Sequence, residues 1–200
     1  MRKQQKAGLV LAAAGAVLIL SALLLLLHNR QEDRSAGAQA QTVLEELRSR
    51  PTQASASSLP SELPPDESPE LATVTVDGYD YIGTLSIPAL ELELPVQAQW
   101  DYDRLRIAPC RQFGAPQTED FVIAAHNYRS HFGRLSELAP GDAVIFTAVD
   151  GTQTLYSVAE LRKLAADDVE GAQNSGYPLV LYTCTPGGAA RMAVFCGRQA

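Results

Sequence analysis

Residues 8–27 read "GLVLAAAGAVLILSALLLLL", an apolar run without a single charge. As a helix it is long enough to cross the hydrocarbon core of a bilayer, where only a segment that satisfies its own backbone polar groups survives. Arg2, Lys3 and Lys6 precede it and no acidic residue does. The excess of cationic residues on that side predicts a cytoplasmic N-terminus (1–7), a membrane anchor (8–27) and everything after Asn29 outside the cell, a single-pass topology. A cleaved signal peptide is the competing reading, because "SAGAQAQ" (35–41) holds small residues at Ala-x-Ala spacing. The apolar run is longer than a signal core, and the small residues lie several polar positions beyond its end, so an uncleaved anchor is expected.

Charge narrows the class of partner. The chain has 16 Lys+Arg and 23 Asp+Glu. Setting aside Arg2, Lys3 and Lys6 leaves 13 cationic residues beyond the anchor, a balance of −10 for residues 28–200. Such a surface repels phosphate-rich polymers, and nucleic acid is excluded as a partner.

Residues 28–72 hold five of the twelve prolines, with abundant Ser, Ala, Glu and Gln. A composition of that kind buries too little to fold alone and predicts an extracellular linker. Within it "TVLEELRSR" (42–50) has helical spacing of Val43, Leu44 and Leu47, expected as a transient helix in a solvated linker, with docking on the following domain as the alternative.

From Thr73 the pattern changes to 128 residues of short, β-flavoured apolar runs, enough for one domain over 73–200. "YIGTLSIPAL", "LELPVQ", "DFVIAAH" (120–126), "DAVIFTAV" (142–149), "TQTLYSVAEL" (152–161), "PLVLYTC" (178–184) and "RMAVFCG" (191–197) are the strand candidates. Asp150-Gly151 between two alternating runs predicts a hairpin. Helical pattern is confined to "DYDRLRIA" (101–108) and "GRLSEL" (133–138). Many short strands with turn-defined connections predict a mainly β fold, a barrel or a sandwich.

Three cysteines, Cys110, Cys184 and Cys196, fall in the segment expected outside. An odd number leaves at least one thiol unpaired. A Cys110–Cys196 disulfide would spare Cys184, but all three are expected reduced. Cys184 ends an apolar strand, and taken alone it reads as a core thiol. His126 likewise ends "FVIAAH", and alone it reads as a structural hydrogen-bonder. Arg191 opens the run that follows the "TPGGAA" turn, which would bring guanidinium and thiol to one rim.

Taken in order, these segments resemble the sortases, membrane-anchored cysteine transpeptidases of Gram-positive bacteria. "VLYTC" (180–184) is similar to the TLxTC motif in Leu181, Thr183 and Cys184, with Val180 where threonine is common. "IAAHN" (123–127) resembles the histidine segment, "ARMAVF" (190–195) the arginine strand, and "GTLSIPALELELPV" (83–96) the first strands. "HNYRSHFGRL" is similar to class B, whereas "TCTP" looks more like class C or D.

The resemblance implies a closed sortase-type β-barrel of about eight strands with short helices. It implies catalytic His126, Cys184 and Arg191, and a secreted protein with a C-terminal sorting signal of the Leu-Pro-x-Thr-Gly type as substrate. An amine of a peptidoglycan precursor or a pilin lysine would accept the acyl group. Without a carboxylate to complete a triad, only a minor population in the Cys⁻/His⁺ form is expected. No cofactor or metal is expected, since the chain lacks His-x-x-x-His or paired-cysteine spacing and a carboxylate cluster for calcium. Thr183 is expected to suit the strand edge, and Leu92, Leu94 and Val96 to be core or groove. Two other functions remain open: a tethered β-domain that binds cell-wall components without catalysis, and a Cys-His peptide hydrolase.

Overall fold

A computed structural model describes residues 2–49 and 71–199. The chain divides into two compact units, residues 1–35 and 36–200. One helix, α1 (Arg2–Ser49), supplies the described residues of the first and the opening of the second. In the first unit the leucines from Leu11 to Leu27 stand exposed, and the helix is long and apolar enough to cross a membrane. Lipid is the solvent in which such a surface is stable.

Over residues 36–49 the helix is amphipathic, and here the expected solvated linker is corrected. Ala36, Ala40, Val43 and Leu44 are buried, and Leu47 packs beside them, positions that recur on one helical face. Ala40 joins the main core, while Val43 and Leu47 pack with Val76, Tyr81 and Ala108. At Gly37 a Cβ would stand 2.9 Å from Ser130 Cβ, so the missing side chain is what lets the helix approach the loop after His126. The Ala-x-Ala segment therefore lies inside a helix, with two of its alanines buried. The proline-rich part of the expected linker falls outside the described residues.

The second unit is built on a nine-stranded sheet: β1 (Val74–Val76), β2 (Tyr79–Ile87), β3 (Leu92–Gln97), β4 (Cys110–Phe113), β5 (Phe121–Ala124), β6 (Ala143–Ala148), β7 (Gln153–Ala165), β8 (Leu179–Cys184) and β9 (Ala190–Arg198). Their spatial order is β1-β2-β3-β4-β5-β8-β9-β7-β6, and a further β2–β6 pairing closes strands β2 to β9 into a barrel, with β1 hanging from β2. Closure removes the sheet edges that would otherwise invite another strand.

Gly83 sits at the closure, opposite Ala148, where a Cβ would collide with the Thr147 carbonyl oxygen. A bulge at Tyr81/Gly83 shifts the alternation, so that Ile82, Leu85 and Ile87 all face the interior. Those residues meet Leu94, Val96, Phe121, Ile123, Phe146, Tyr156, Leu179, Leu181 and Val194, with Phe121 and Phe146 edge to face at 5.2 Å. Each such side chain contributes about 1.5–3 kcal/mol by leaving water. Leu94 and Val96 are core, and Leu92 packs partly against it.

The Asp150-Gly151 hairpin forms, joining β6 to β7 with Thr147 opposite Gln153. The two short helical candidates shrink to single 3-10 turns, Arg104–Arg106 and Leu135–Glu137. A short helix α2 (Glu170–Gln173) precedes β8.

Candidate active site

β5 and β8 run side by side in parallel, with Phe121, Val122, Ile123 and Ala124 matched to Leu179, Val180, Leu181 and Tyr182. Alternation sorts their side chains. Leu179 and Leu181 point into the barrel core, whereas Val180 and Tyr182 pack in clusters on the outer face. Cys184 has the outer parity and is half-buried at the strand's last position. On β5, Ile123 faces in and Ala124 faces out; Ala125, just past the strand, packs in the core, and the half-buried His126 follows it.

The two strand ends are tied together. Ala125 N–H donates to the Tyr182 carbonyl at 3.2 Å, and the buried Thr183 hydroxyl donates to the Ala125 carbonyl at 2.8 Å. Thr183 thus does strand work, fixing the residue before His126 to the residue before Cys184. Cys184 follows its anchor as the last residue of β8, and His126 follows Ala125 in the loop beyond β5.

β9 returns antiparallel, and Cys184 and Arg191 are direct cross-strand partners. Ala193 and Phe195 lie in the outer cluster, which gives Arg191 the outer parity too. Seven residues from sulfur to guanidinium demand a tight turn. Thr185 N–H donates to the Ala190 carbonyl at 2.9 Å and Gly188 N–H to the Thr185 carbonyl at 2.8 Å, while Gly187 and Gly188 take φ of 82° and 76°. Two successive left-handed residues are a conformation that glycine adopts without strain. Cys184 and Arg191 therefore share the outer face at one rim, and the end of β5, two residues before His126, runs beside the same end of β8.

Tyr182 sits beneath this rim, its hydroxyl donating to Gln112 Oε1. Burial pushes the Tyr182 phenol up to about 12; the nearby Arg191 charge pulls the other way, and Cys184 adds to the rise. Cys110 and Cys196 are different from Cys184 in kind. Both are wholly buried, and burial pushes each thiol up to about 12. Cys110 packs with Leu105 and Ala124 on the outer side of the wall and Cys196 in the barrel interior; all three thiols are free.

Aromatic rings that no sequence motif announced surround the imidazole. Tyr102 meets His126 edge to face, with centroids 5.9 Å apart, and Tyr128 lies at 5.0 Å. Tyr128 also touches the ring of the buried His131 at 5.6 Å. Proximity along the chain hints at Tyr128; nothing local marks Tyr102. His28 is remote from this chemistry in the sequence, exposed on α1 beside Glu32. Among the described residues no group of three His, Cys, Asp or Glu side chains gathers to hold a metal.

A family model described as "Sortase domain" matches residues 85–199. Among solved structures, sortase C from Clostridium perfringens SM101 is similar with TM-score 0.52 and 21% identity over 60% of this chain and 71% of that one. Sortase A from Corynebacterium diphtheriae gives TM-score 0.55 and 22% identity over 61% and 62%. Clostridium perfringens sortase C with the C-terminal cell wall sorting motif gives 0.54 and 21% over 60% and 71%. No curated protein sequence matches the chain.

Proposed function

The chain belongs to the sortase family, a class of cysteine transpeptidases, and we propose that it cleaves a C-terminal sorting signal through a Cys184 thioester and passes the acyl group to an amine. The observation that carries the reading is the pairing of Cys184 with Arg191 across the β8–β9 turn, on the face that also receives the end of β5.

The Cys184 thiolate attacks the carbonyl carbon before the scissile bond, forming a C–S bond and an oxyanion. As that intermediate collapses, the C–N bond breaks and His126 gives its proton to the departing amine. The thioester keeps the acyl group activated. An incoming amine attacks it, His126 takes the proton released, and the thiolate leaves. Arg191, permanently charged and rich in donors, holds substrate carbonyls and stabilises the developing negative charge. Support for a sorting-signal substrate comes from the relative solved with the C-terminal cell wall sorting motif. The acceptor is an amine of a peptidoglycan precursor or a pilin lysine. The apolar part of α1 anchors the chain, with the N-terminus cytoplasmic and the catalytic domain extracellular.

The test incubates the full chain in detergent with an LPxTG-type peptide, with and without oligoglycine or a lysine-bearing peptide, and weighs the products. A joined product that disappears in Cys184→Ala is the expected result. Cleavage with no joining at any amine concentration would make the protein a hydrolase. Peptide binding that survives Cys184→Ala with no bond broken would make it a binding module.

A further inference from the structure

One imidazole must serve two nitrogens in turn, so its orientation has to be fixed through both steps. The β5 ladder ends at Ala124, and the bonds of Ala125 to Tyr182 and Thr183 hold the backbone only up to the residue before His126. The loop that follows takes over. Phe132, fully buried, donates its N–H to the His126 carbonyl at 3.2 Å, and the Tyr128 carbonyl accepts from His131 N–H at 3.0 Å and Gly133 N–H at 2.8 Å. A Cβ at Gly133 would collide with the Asn127 carbonyl oxygen, so the loop closes as tightly as the backbone allows. Tyr128 is thereby held with its ring 5.0 Å from that of His126, tilted by 38°.

The second ring comes from another part of the barrel. Tyr102 lies on the turn between β3 and the Arg104–Arg106 turn, and that turn is pinned throughout. Asp101 Oδ1 accepts from Asp103 N–H at 2.8 Å and Arg104 N–H at 3.2 Å. The buried Gln97 donates to the carbonyls of Arg104 at 2.9 Å and Ala108 at 3.2 Å, and Arg111 Nε donates to the Ala98 carbonyl at 2.9 Å. Despite this scaffolding the Tyr102 side chain is not core, being 64% exposed. It meets His126 at 5.9 Å and 83°, the edge-to-face arrangement that aromatic quadrupoles favour. A rigid turn that presents an exposed ring to one imidazole does little for folding and much for orientation.

We propose that Tyr102 and Tyr128 are positioning residues whose rings set the orientation of the His126 imidazole for proton transfer. This inference rests on the reading of His126 as the acid–base group. Phenylalanine at either position keeps the ring and the packing; alanine removes both.

The experiment uses the full chain in detergent micelles, with Tyr102→Phe, Tyr102→Ala, Tyr128→Phe and Tyr128→Ala. The His126 ring signals are followed by ¹H–¹³C NMR against pH, a measurement that needs no turnover. Both alanine variants are expected to move the His126 shift and its titration midpoint, while the phenylalanine variants stay near the parent. In the transfer assay the alanine variants lose about 10- to 100-fold in kcat, with KM held within about twofold. Tyr102 is exposed, so Tyr102→Ala folds, and an unchanged melting temperature confirms it. His126 signals and kcat that match the parent in both alanine variants would overturn the inference. So would a raised KM with kcat intact, which would make Tyr102 a substrate contact. If the parent itself transfers nothing, the proposed function fails, and the NMR titration alone still decides what the rings do.

Discussion

Arg191 carries a charge that no accessible pH removes, and its place opposite Cys184 decides what a substitution can report. Its Nη1 makes only long contacts to the carbonyls of Gly188, at 3.4 Å, and Ala190, at 3.5 Å, so the guanidinium is lightly engaged within the turn. Removing a donor of this kind from an acyl-transfer site costs about 10²–10³ in kcat. Arg191→Ala is expected to lose that much in peptide transfer with its fold intact, measurable as kcat beside an unchanged circular dichroism spectrum. Arg191→Lys restores only part, because an ammonium offers a point charge where the guanidinium offers a fork. The rim positions of Cys184 and Arg191 are legible in the sequence, each as the polar terminus of an apolar run. Tyr102 is not, because what joins it to His126 is a turn pinned by Gln97 and Arg111, and no local pattern encodes a contact of that kind.

Among the elements, the strands whose alternation is strong were readable almost to the residue. "LELPVQ" is β3 and "PLVLYTC" loses only its proline to become β8. β4 leaves no strand signal because "CRQF" is short and half polar, and β1 none because three residues make no period. The last section of α1 is faint in the sequence for a related reason: a stripe of Ala36, Ala40, Val43 and Leu44 is weak until the surface it matches is known. Its burial has a measurable weight. Leu44 is wholly buried, and Leu44→Ala is expected to cost about 2–5 kcal/mol, read from chemical unfolding of the full chain. Glu45→Ala, one residue away on the exposed side, should stay within about 0.5 kcal/mol. Equal effects would show that the helix contributes by propensity and its docking by nothing.

For the molecule as a whole, the feature least visible in the sequence is the parallel neighbourhood of β5 and β8, which joins Ala125 to Thr183 across 58 residues. Apolar runs announce strands, but the choice of partner is made by barrel closure. The same closed interior sets the response to alkali. Cys110 and Cys196 hold their protons to about 12 when folded, against an ordinary value of 9.0. Above about pH 9 the unfolded chain therefore binds fewer protons than the folded one, and stability falls as pH rises towards 12. Each thiol contributes a slope of up to about 1.4 kcal/mol per pH unit. Unfolding midpoints taken from pH 8 to 11 should show the decline, and Cys196→Ala should flatten it; a flat profile in the parent would contradict the burial of these thiols. That burial also has a practical side. With two sulfurs walled off and one at the rim, a small electrophile such as iodoacetamide finds a single address on the native protein. One equivalent taken up per chain is the mark of folded protein, because unfolding opens all three thiols, and no other cysteine has to be engineered away first.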